Sequence, residues 1–213
     1  MTERPLSNEA TTLDPIDWSE IRAQGHRMLD DMFGHIEKLR SRPVWRPMPD
    51  EVRESFQQPL PRSPSSLASV HDEFIDHVVP YALGNAHPAF MGWVHGGGTA
   101  VGMLAEMLAA GLNANLGGRD HAPIEVERQI TAWMRDIFGF PATAAGLFVT
   151  GTSMANLIAV LIARAHALGR GVRERGVAQL GGQLRAYTST AAHGCVAQAM
   201  DLAGLGFDAL RRI

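Results

Sequence analysis

Residues 146–156 read Gly-Leu-Phe-Val-Thr-Gly-Thr-Ser-Met-Ala-Asn, an apolar run that breaks at Gly151 and continues with helical spacing. This pattern predicts a strand over 146–150 followed by a helix over 153–168. Thr152 and Ser153 fall at the turn between the two. The first N–H groups of a helix have no intrahelical partner and lie at the positive end of the helix dipole. The turn is therefore a candidate anion site.

A second strand and helix follow about forty residues later. Residues 187–193 read Tyr-Thr-Ser-Thr-Ala-Ala-His, which predicts a strand over 184–188 and a helix over 194–203. In a parallel sheet, His193 would lie at the same carboxyl edge as the first turn, where ligands of open α/β sheets bind. The two turns together suggest a cofactor that carries a phosphate and a flat ring.

Plainer interpretations of the same residues stay open at this point. Thr152 or Ser153 could simply cap a helix, and His193 could cap its own helix or pack in the core. The glycine turn is not a P-loop, because Gly-Lys-Ser/Thr is missing, and it lacks Gly-x-Gly-x-x-Gly. A nucleotide is therefore a weaker candidate than another phosphorylated ligand.

The N-terminal third has a different texture. A polar start over residues 1–13 precedes an amphipathic helix from Asp14 to about Arg40. Six prolines between Pro43 and Pro64 predict an extended connector, and a second helix is expected near 66–79. Two helices and a connector cannot bury both apolar faces alone. We therefore expect residues 1–84 to form a helical arm with a proline-rich connector.

The remaining residues, 85–213, predict the first part of an α/β domain. Helices are expected over about 99–116 and from Pro123 to about Phe138, before the two strand–helix pairs already described. The last residues, 205–213, read as the lead into a further strand. Strands that alternate with helices indicate a mainly parallel sheet.

Composition excludes several classes of protein. The 213 residues carry a net charge of −3 with scattered arginines, which argues against a nucleic-acid partner. The strongly apolar run 157–163 is too short to span a bilayer, and residues 1–20 contain no secretory signal pattern. A single cysteine, Cys195, excludes an internal disulfide, and the histidines show no metal-ligand spacing. We expect a cytoplasmic protein with no membrane partner and no metal.

Five motifs occur in an order that resembles a known family. They are His87-Pro-Ala-Phe-Met-Gly-Trp93, Met103-Leu-Ala-Glu-Met-Leu108, Glu125-Val-Glu127 with Trp133, Gly151-Thr-Ser-Met-Ala-Asn156, and Tyr187-Thr-Ser-Thr-Ala-Ala-His193. Each is weak alone, but their order and spacing resemble the pyridoxal-phosphate-dependent group II amino-acid decarboxylases. That family includes aromatic-L-amino-acid, glutamate and histidine decarboxylases, and the likeness extends from about Asp17 onward.

The resemblance implies a fold, a cofactor and a partner. The fold would be the large domain of a PLP-dependent transferase of type I (aspartate-aminotransferase-like), incomplete and preceded by the helical arm. The cofactor would be pyridoxal 5'-phosphate (PLP), and the arm would wrap the second subunit of a homodimer. The substrate would be an L-amino acid, which the enzyme would convert to its amine and CO2.

The resemblance also implies roles for individual residues. Thr152 and Ser153 would hold the cofactor phosphate, and His193 would stack on its ring. The segment with His87, Trp93 and His95 would contact the substrate. Two positions depart from the family pattern: His95 stands where many relatives carry proline, and Gly194-Cys195 stands where several carry two serines.

The family's chemistry requires a Schiff-base lysine, and Lys38 is the only lysine here. Its place on the arm, beside charged neighbours, predicts a solvated residue. We therefore expect an N-terminal fragment of a decarboxylase with no catalytic lysine and no turnover of its own. Two alternatives remain: a catalytically silent interaction module or remnant, and a PLP-dependent carbon–carbon lyase or oxidative decarboxylase. Trp93 slightly favours an aromatic substrate.

Overall fold

The structure is a computed structural model that describes residues 14–94, 96–117, 120–178 and 184–213. The chain divides into two compact units, Met1–Asn113 and Ala114–Ile213. The polar start expected over residues 1–13 lies outside the described residues. The domain boundary expected between residues 84 and 85 stays a prediction.

The first unit begins with helix α1, Trp18–Glu37. Asp17 caps it, because its Oδ1 accepts hydrogen bonds from the N–H of Ser19 at 2.7 Å and of Glu20 at 3.4 Å. Hydrogen bonds from the Ser19 side chain and backbone, followed by the Glu20 N–H, lower the pKa of Asp17 below its ordinary value. A 3-10 turn over Leu39–Ser41 follows α1. The helix predicted to about Arg40 is thus confirmed.

Helix α2, Asp50–Ser55, lies within the segment predicted to be an extended connector, so that prediction was wrong for these six residues. No proline falls inside α2, because Pro49 stands at its N-cap and the next proline is Pro59. Asp50 and Glu51 occupy the first turn, where acidic side chains favour the helix dipole. Prolines that flank a segment this way limit a helix without preventing it.

Helix α3, Leu67–Glu73, continues as a π-turn over Phe74–Val78 and a 3-10 turn over Val79–Tyr81. It packs on α1 through His71, whose side chain is only 3% exposed. Gln24 Nε2 lies 3.0 Å from His71 Nδ1, and Asp31 Oδ2 lies 3.6 Å from His71 Nε2. The arm is therefore held together by a polar network as well as by apolar packing.

Helix α4, Ala100–Leu112, ends the first unit. Thr99 caps it by accepting a 2.9 Å hydrogen bond from the Gly102 N–H. Asn113 ends it in the left-handed conformation with φ 44°, which asparagine tolerates better than most residues. The predicted helix over 99–116 is confirmed, with an earlier end.

The second unit contains helices α5 (Ala122–Ile137), α6 (Gly151–Leu168), α7 (Gly171–Arg175) and α8 (Cys195–Leu202). Strands β1 (Ala186–Thr188) and β2 (Leu210–Arg212) pair in parallel, with Ala186 opposite Leu210. Helix α8 packs on α6. The parallel pairing and the late strand were both predicted from the sequence.

The strand predicted over 146–150 was wrong, because the structure gives this segment no strand assignment. A strand needs a neighbour that satisfies its backbone groups. Among the described residues, the Phe148 N–H instead donates to the Glu127 side chain at 2.8 Å. The apolar pattern correctly predicted a non-helical segment that leads into α6. It wrongly predicted that this segment pairs with a neighbouring strand.

Helix α6 is long and apolar enough to cross a membrane by length and composition alone, with a mean hydropathy of 1.2 over 18 residues. None of this 18-residue window is buried in the described structure, although α6 packs against α8. It is the one such helix in the part of the chain that the structure describes. The expected absence of a membrane partner stays a prediction.

Candidate active site

The candidate site begins at the first turn of α6. Gly151 has φ +77°, a left-handed conformation that side-chain-bearing residues rarely adopt, and it lets the chain turn sharply into the helix. Thr150 is the N-cap residue, and its side chain makes no capping hydrogen bond. Thr152 and Ser153 lie inside the first turn. The interpretation that either of them caps the helix was therefore wrong.

The groups at this turn fit a phosphate. Three successive backbone N–H groups, of Gly151, Thr152 and Ser153, begin the helix, and two of these residues also carry a hydroxyl. All three residues are exposed, and a Cβ placed on Gly151 would meet no atom within 4 Å. Phosphate oxygens accept several hydrogen bonds and favour the positive end of a helix dipole. This donor set suits the phosphate end of PLP.

His193 lies in the turn before α8. Its Nδ1 accepts a 3.2 Å hydrogen bond from the Cys195 N–H, and its carbonyl accepts one from the Val196 N–H at 3.1 Å. The residue is exposed, so the core interpretation was wrong, whereas the hydrogen bond to Cys195 gives it part of a capping role. The ring of this exposed residue is therefore anchored by one of its two nitrogens.

Sequence reasoning missed Asn156 as a member of this site. Its side-chain amide donates a 3.3 Å hydrogen bond to Cys195 Sγ, which links α6 to the first turn of α8. An available signal was the position of Asn156 as the one amide side chain in an otherwise apolar helix sequence, Met154 to Ile162.

Sequence reasoning also missed the role of Glu127, which lies near the start of α5. Its carboxylate accepts the Phe148 N–H and so fixes the segment that leads into Gly151. Glu125, on the same helix, instead pairs with Arg128 at the surface. The two acidic residues have different structural roles although they lie two residues apart.

Replacing Glu127 by alanine is expected to lower the free energy of unfolding of the second unit by about 1.5 kcal/mol, because the Phe148 N–H loses a charged acceptor and such hydrogen bonds contribute about 1.5–3 kcal/mol. Glu125→Ala is the matched control, since an exposed ion pair contributes about 0–1 kcal/mol. Urea unfolding of both variants measures the difference. Equal destabilisation by the two substitutions would contradict the role given to Glu127.

The residues expected to contact substrate belong to the first unit. Phe90 and Trp93 form an edge-to-face ring pair with centroids 5.8 Å apart, and Trp93 is 62% exposed. His87 Nδ1 accepts the Ala89 N–H at 3.0 Å. His87 Nε2 is buried without a hydrogen-bond partner among the described residues. His95 lies outside the described residues.

Lys38 lies at the C-cap of α1 and is exposed, as predicted. It shares the lining of a groove of about 620 Å³ with His87, Arg42 and Trp45. His35 of α1 lines the same groove, and its Nδ1 lies 3.0 Å from Arg42 Nη1. Burial, followed by the charge of Arg42, lowers the pKa of His35.

Comparison with known proteins identifies the family. The conserved domain of pyridoxal-dependent decarboxylases matches residues 49–213. The chain belongs to the PLP-dependent decarboxylase family. An aromatic-L-amino-acid decarboxylase from Bacillus atrophaeus is 31% identical over 150 residues, which cover 68% of this chain and 31% of that relative.

Solved structures show the same fold. The glutamate decarboxylase domain of a diaminobutyrate-pyruvate transaminase and L-2,4-diaminobutyrate decarboxylase from Vibrio parahaemolyticus matches with a TM-score of 0.81 at 22% identity, covering 94% of this chain and 45% of that one. Catharanthus roseus tryptophan decarboxylase, solved with L-tryptophan, matches with a TM-score of 0.79 at 23% identity, covering 94% and 43%. The chain therefore shares the fold of these decarboxylases over part of their length, which agrees with the incomplete α/β fold expected from the sequence.

The cofactor of the family is pyridoxal phosphate, which agrees with the donor set at the start of α6. The chain spans less than half the length of the relatives and solved structures it matches. Carboxy-lyase activity on amino acids is thus a property of the family to which the chain belongs.

Proposed function

We propose that this chain supplies the phosphate- and ring-binding part of a PLP-dependent L-amino-acid decarboxylase. The observation that supports this most strongly is the open first turn of α6, where Gly151 creates the turn and Thr152 and Ser153 add hydroxyl donors. Members of the family use PLP, and the first turn of α6 has N–H groups that can bind its phosphate.

Within this proposal, bound PLP acts as the electron sink that weakens the bond to the substrate carboxylate. The first turn of α6 would bind the phosphate and so hold one end of the cofactor. The exposed imidazole of His193 would pack against the cofactor ring and exclude water from that face. Its Nδ1 stays occupied by the Cys195 N–H, which orients the imidazole plane.

We propose an aromatic L-amino acid as the substrate. Trp93 and Phe90 present an apolar aromatic pair, which would favour a ring over a charged side chain. The Bacillus atrophaeus relative is named an aromatic-L-amino-acid decarboxylase. His87 and His95 complete the proposed substrate segment, in which His87 Nδ1 accepts the Ala89 N–H.

The lysine that PLP chemistry requires is proposed to come from sequence outside these 213 residues. Lys38 is the only lysine of the chain, and it lies exposed at the C-cap of α1. We therefore propose that the chain alone is inactive and acts as the N-terminal part of the enzyme.

The arm and α4 are proposed to mediate homodimer formation. Apolar side chains of α4 are exposed, with Val101 at 76%, Leu108 at 64% and Leu112 at 72%. Exposed apolar side chains on one helix favour burial against another chain. The same surface supports the second candidate function, a catalytically silent interaction module, and we place either form in the cytoplasm.

The experiment incubates the purified chain with PLP and with L-tryptophan, L-tyrosine or L-glutamate, and then applies borohydride. We expect saturable PLP binding, no amine or CO2, and no borohydride-trapped adduct at Lys38. A stoichiometric adduct at Lys38 would contradict the proposed division of the active site. Absence of any PLP binding, together with self-association, would favour the interaction module.

A further inference from the structure

We propose that Asn156 is a positioning residue for His193 and acts through Cys195, a role that rests on the PLP-binding function proposed above. Helix α6 would then serve the cofactor twice. Its first turn would bind the phosphate, and its second turn would hold the histidine that packs on the ring.

Two hydrogen bonds connect Asn156 to His193. The Asn156 amide donates to Cys195 Sγ at 3.3 Å, and the Cys195 backbone N–H donates to His193 Nδ1 at 3.2 Å. Cys195 is 7% exposed and Asn156 is half-buried, so water competes weakly for the first bond. These two hydrogen bonds link Asn156, three residues beyond Ser153, to the imidazole of His193.

The second hydrogen bond has a chemical consequence for the imidazole. Because Nδ1 accepts a hydrogen bond, the proton of the neutral ring lies on Nε2. The ring is held at one edge in an exposed residue, and an imidazole that is held and accessible suits stacking on a flat cofactor. Without the hydrogen bond from the Cys195 N–H, the imidazole could exchange between its two tautomers and change its orientation.

Packing between α6 and α8 places the Asn156 amide beside Cys195. The buried residues Cys195, Ala199 and Ala203 recur every four positions along one face that starts on α8 and ends at its C-cap. At the far end, the Arg164 guanidinium donates to the Ala203 carbonyl. Polar contacts thus join the two helices at both ends, and the Asn156 contact is the one next to His193.

The test measures PLP affinity of the full chain for Asn156→Ala in two backgrounds. In the otherwise unchanged protein, we expect the PLP affinity to fall about tenfold, which corresponds to the loss of one hydrogen bond. In the His193→Ala background, Asn156→Ala is expected to cause no further loss. An equal loss in both backgrounds would show a general structural effect and overturn the positioning role.

A second readout needs no cofactor. NMR of the imidazole nitrogens of His193 is expected to show one tautomer in the unchanged chain and averaged nitrogens in Asn156→Ala. An unchanged imidazole spectrum would overturn the positioning role. Failure of the unchanged chain to bind PLP would instead overturn the proposed function, so the two failures are distinguishable.

Conservative variants complete the test. Cys195→Ser keeps an acceptor for Asn156 and should retain the single tautomer, whereas Cys195→Ala should behave like Asn156→Ala. Gln198→Ala removes an exposed amide from the same helix and is the neutral control. Asn156→Asp keeps the size of the side chain and removes the amide donor at neutral pH, so it should behave like Asn156→Ala and replaces that variant if it fails to fold. Averaged nitrogens in Cys195→Ser, or a single tautomer in Asn156→Asp, would contradict the proposed pathway.

Discussion

Replacing Thr152 and Ser153 together by alanine is expected to weaken PLP binding by about 100-fold or more. Each hydroxyl would donate to a charged phosphate oxygen, and a hydrogen bond to a charged group contributes about 1.5–3 kcal/mol. Two such losses correspond to at least two powers of ten in the dissociation constant. The backbone N–H groups of the first turn stay in place, so weak binding should remain.

Fluorescence titration with PLP and with pyridoxal, which lacks the phosphate, measures this effect. The substitutions should reduce affinity for PLP and leave the weak affinity for pyridoxal unchanged. Thr143→Ala, which removes an exposed hydroxyl from the same unit, is the matched control. Unaltered PLP affinity in the double variant would show that the phosphate binds elsewhere.

Replacing Gly84 by alanine is expected to lower the free energy of unfolding of the first unit by about 1–3 kcal/mol, the usual range for forced overpacking. A Cβ at Gly84 would overlap the carbonyl of Val44, which is backbone and cannot rotate away. The connector would have to shift away from the segment that leads to His87 and Trp93. We therefore expect the substitution to disturb the proposed substrate segment as well as the stability.

Gly25→Ala is the matched control, because Gly25 lies within α1 and a Cβ there meets no atom within 4 Å. Alanine in a helix interior is more favourable than glycine by about 0.5–1 kcal/mol, so this variant should be slightly stabilised. Urea unfolding followed by circular dichroism compares the two. Effects of equal sign would contradict the close contact between Gly84 and Val44.

The sequence predicted the helices and the turn whose formation depends on residues close together in the chain. The apolar spacing of α1, α5 and α6 is strong, and the glycine at position 151 marks the turn whose left-handed φ the structure contains. Helix α2 also has local signals, since Asp50 and Glu51 follow Pro49, but the density of prolines concealed them. The corresponding expectation of a connector without helices was wrong for that reason.

Tertiary pairings could not be predicted in the same way. The Asn156–Cys195 hydrogen bond joins residues 39 apart, and the Glu127–Phe148 hydrogen bond joins residues 21 apart. Each depends on how two helices or a helix and a loop come together. The strand expected over 146–150 failed for the same reason, because pairing is a property of the neighbour as well as of the segment.

Binding of the PLP phosphate at the first turn of α6 can be followed residue by residue in an amide NMR titration of the isotope-labelled chain. We expect saturable shifts of the Gly151, Thr152 and Ser153 amides with PLP, much smaller shifts with pyridoxal, and none at the start of α5. Saturable PLP shifts that are confined to other residues, with these three amides unmoved, would contradict it.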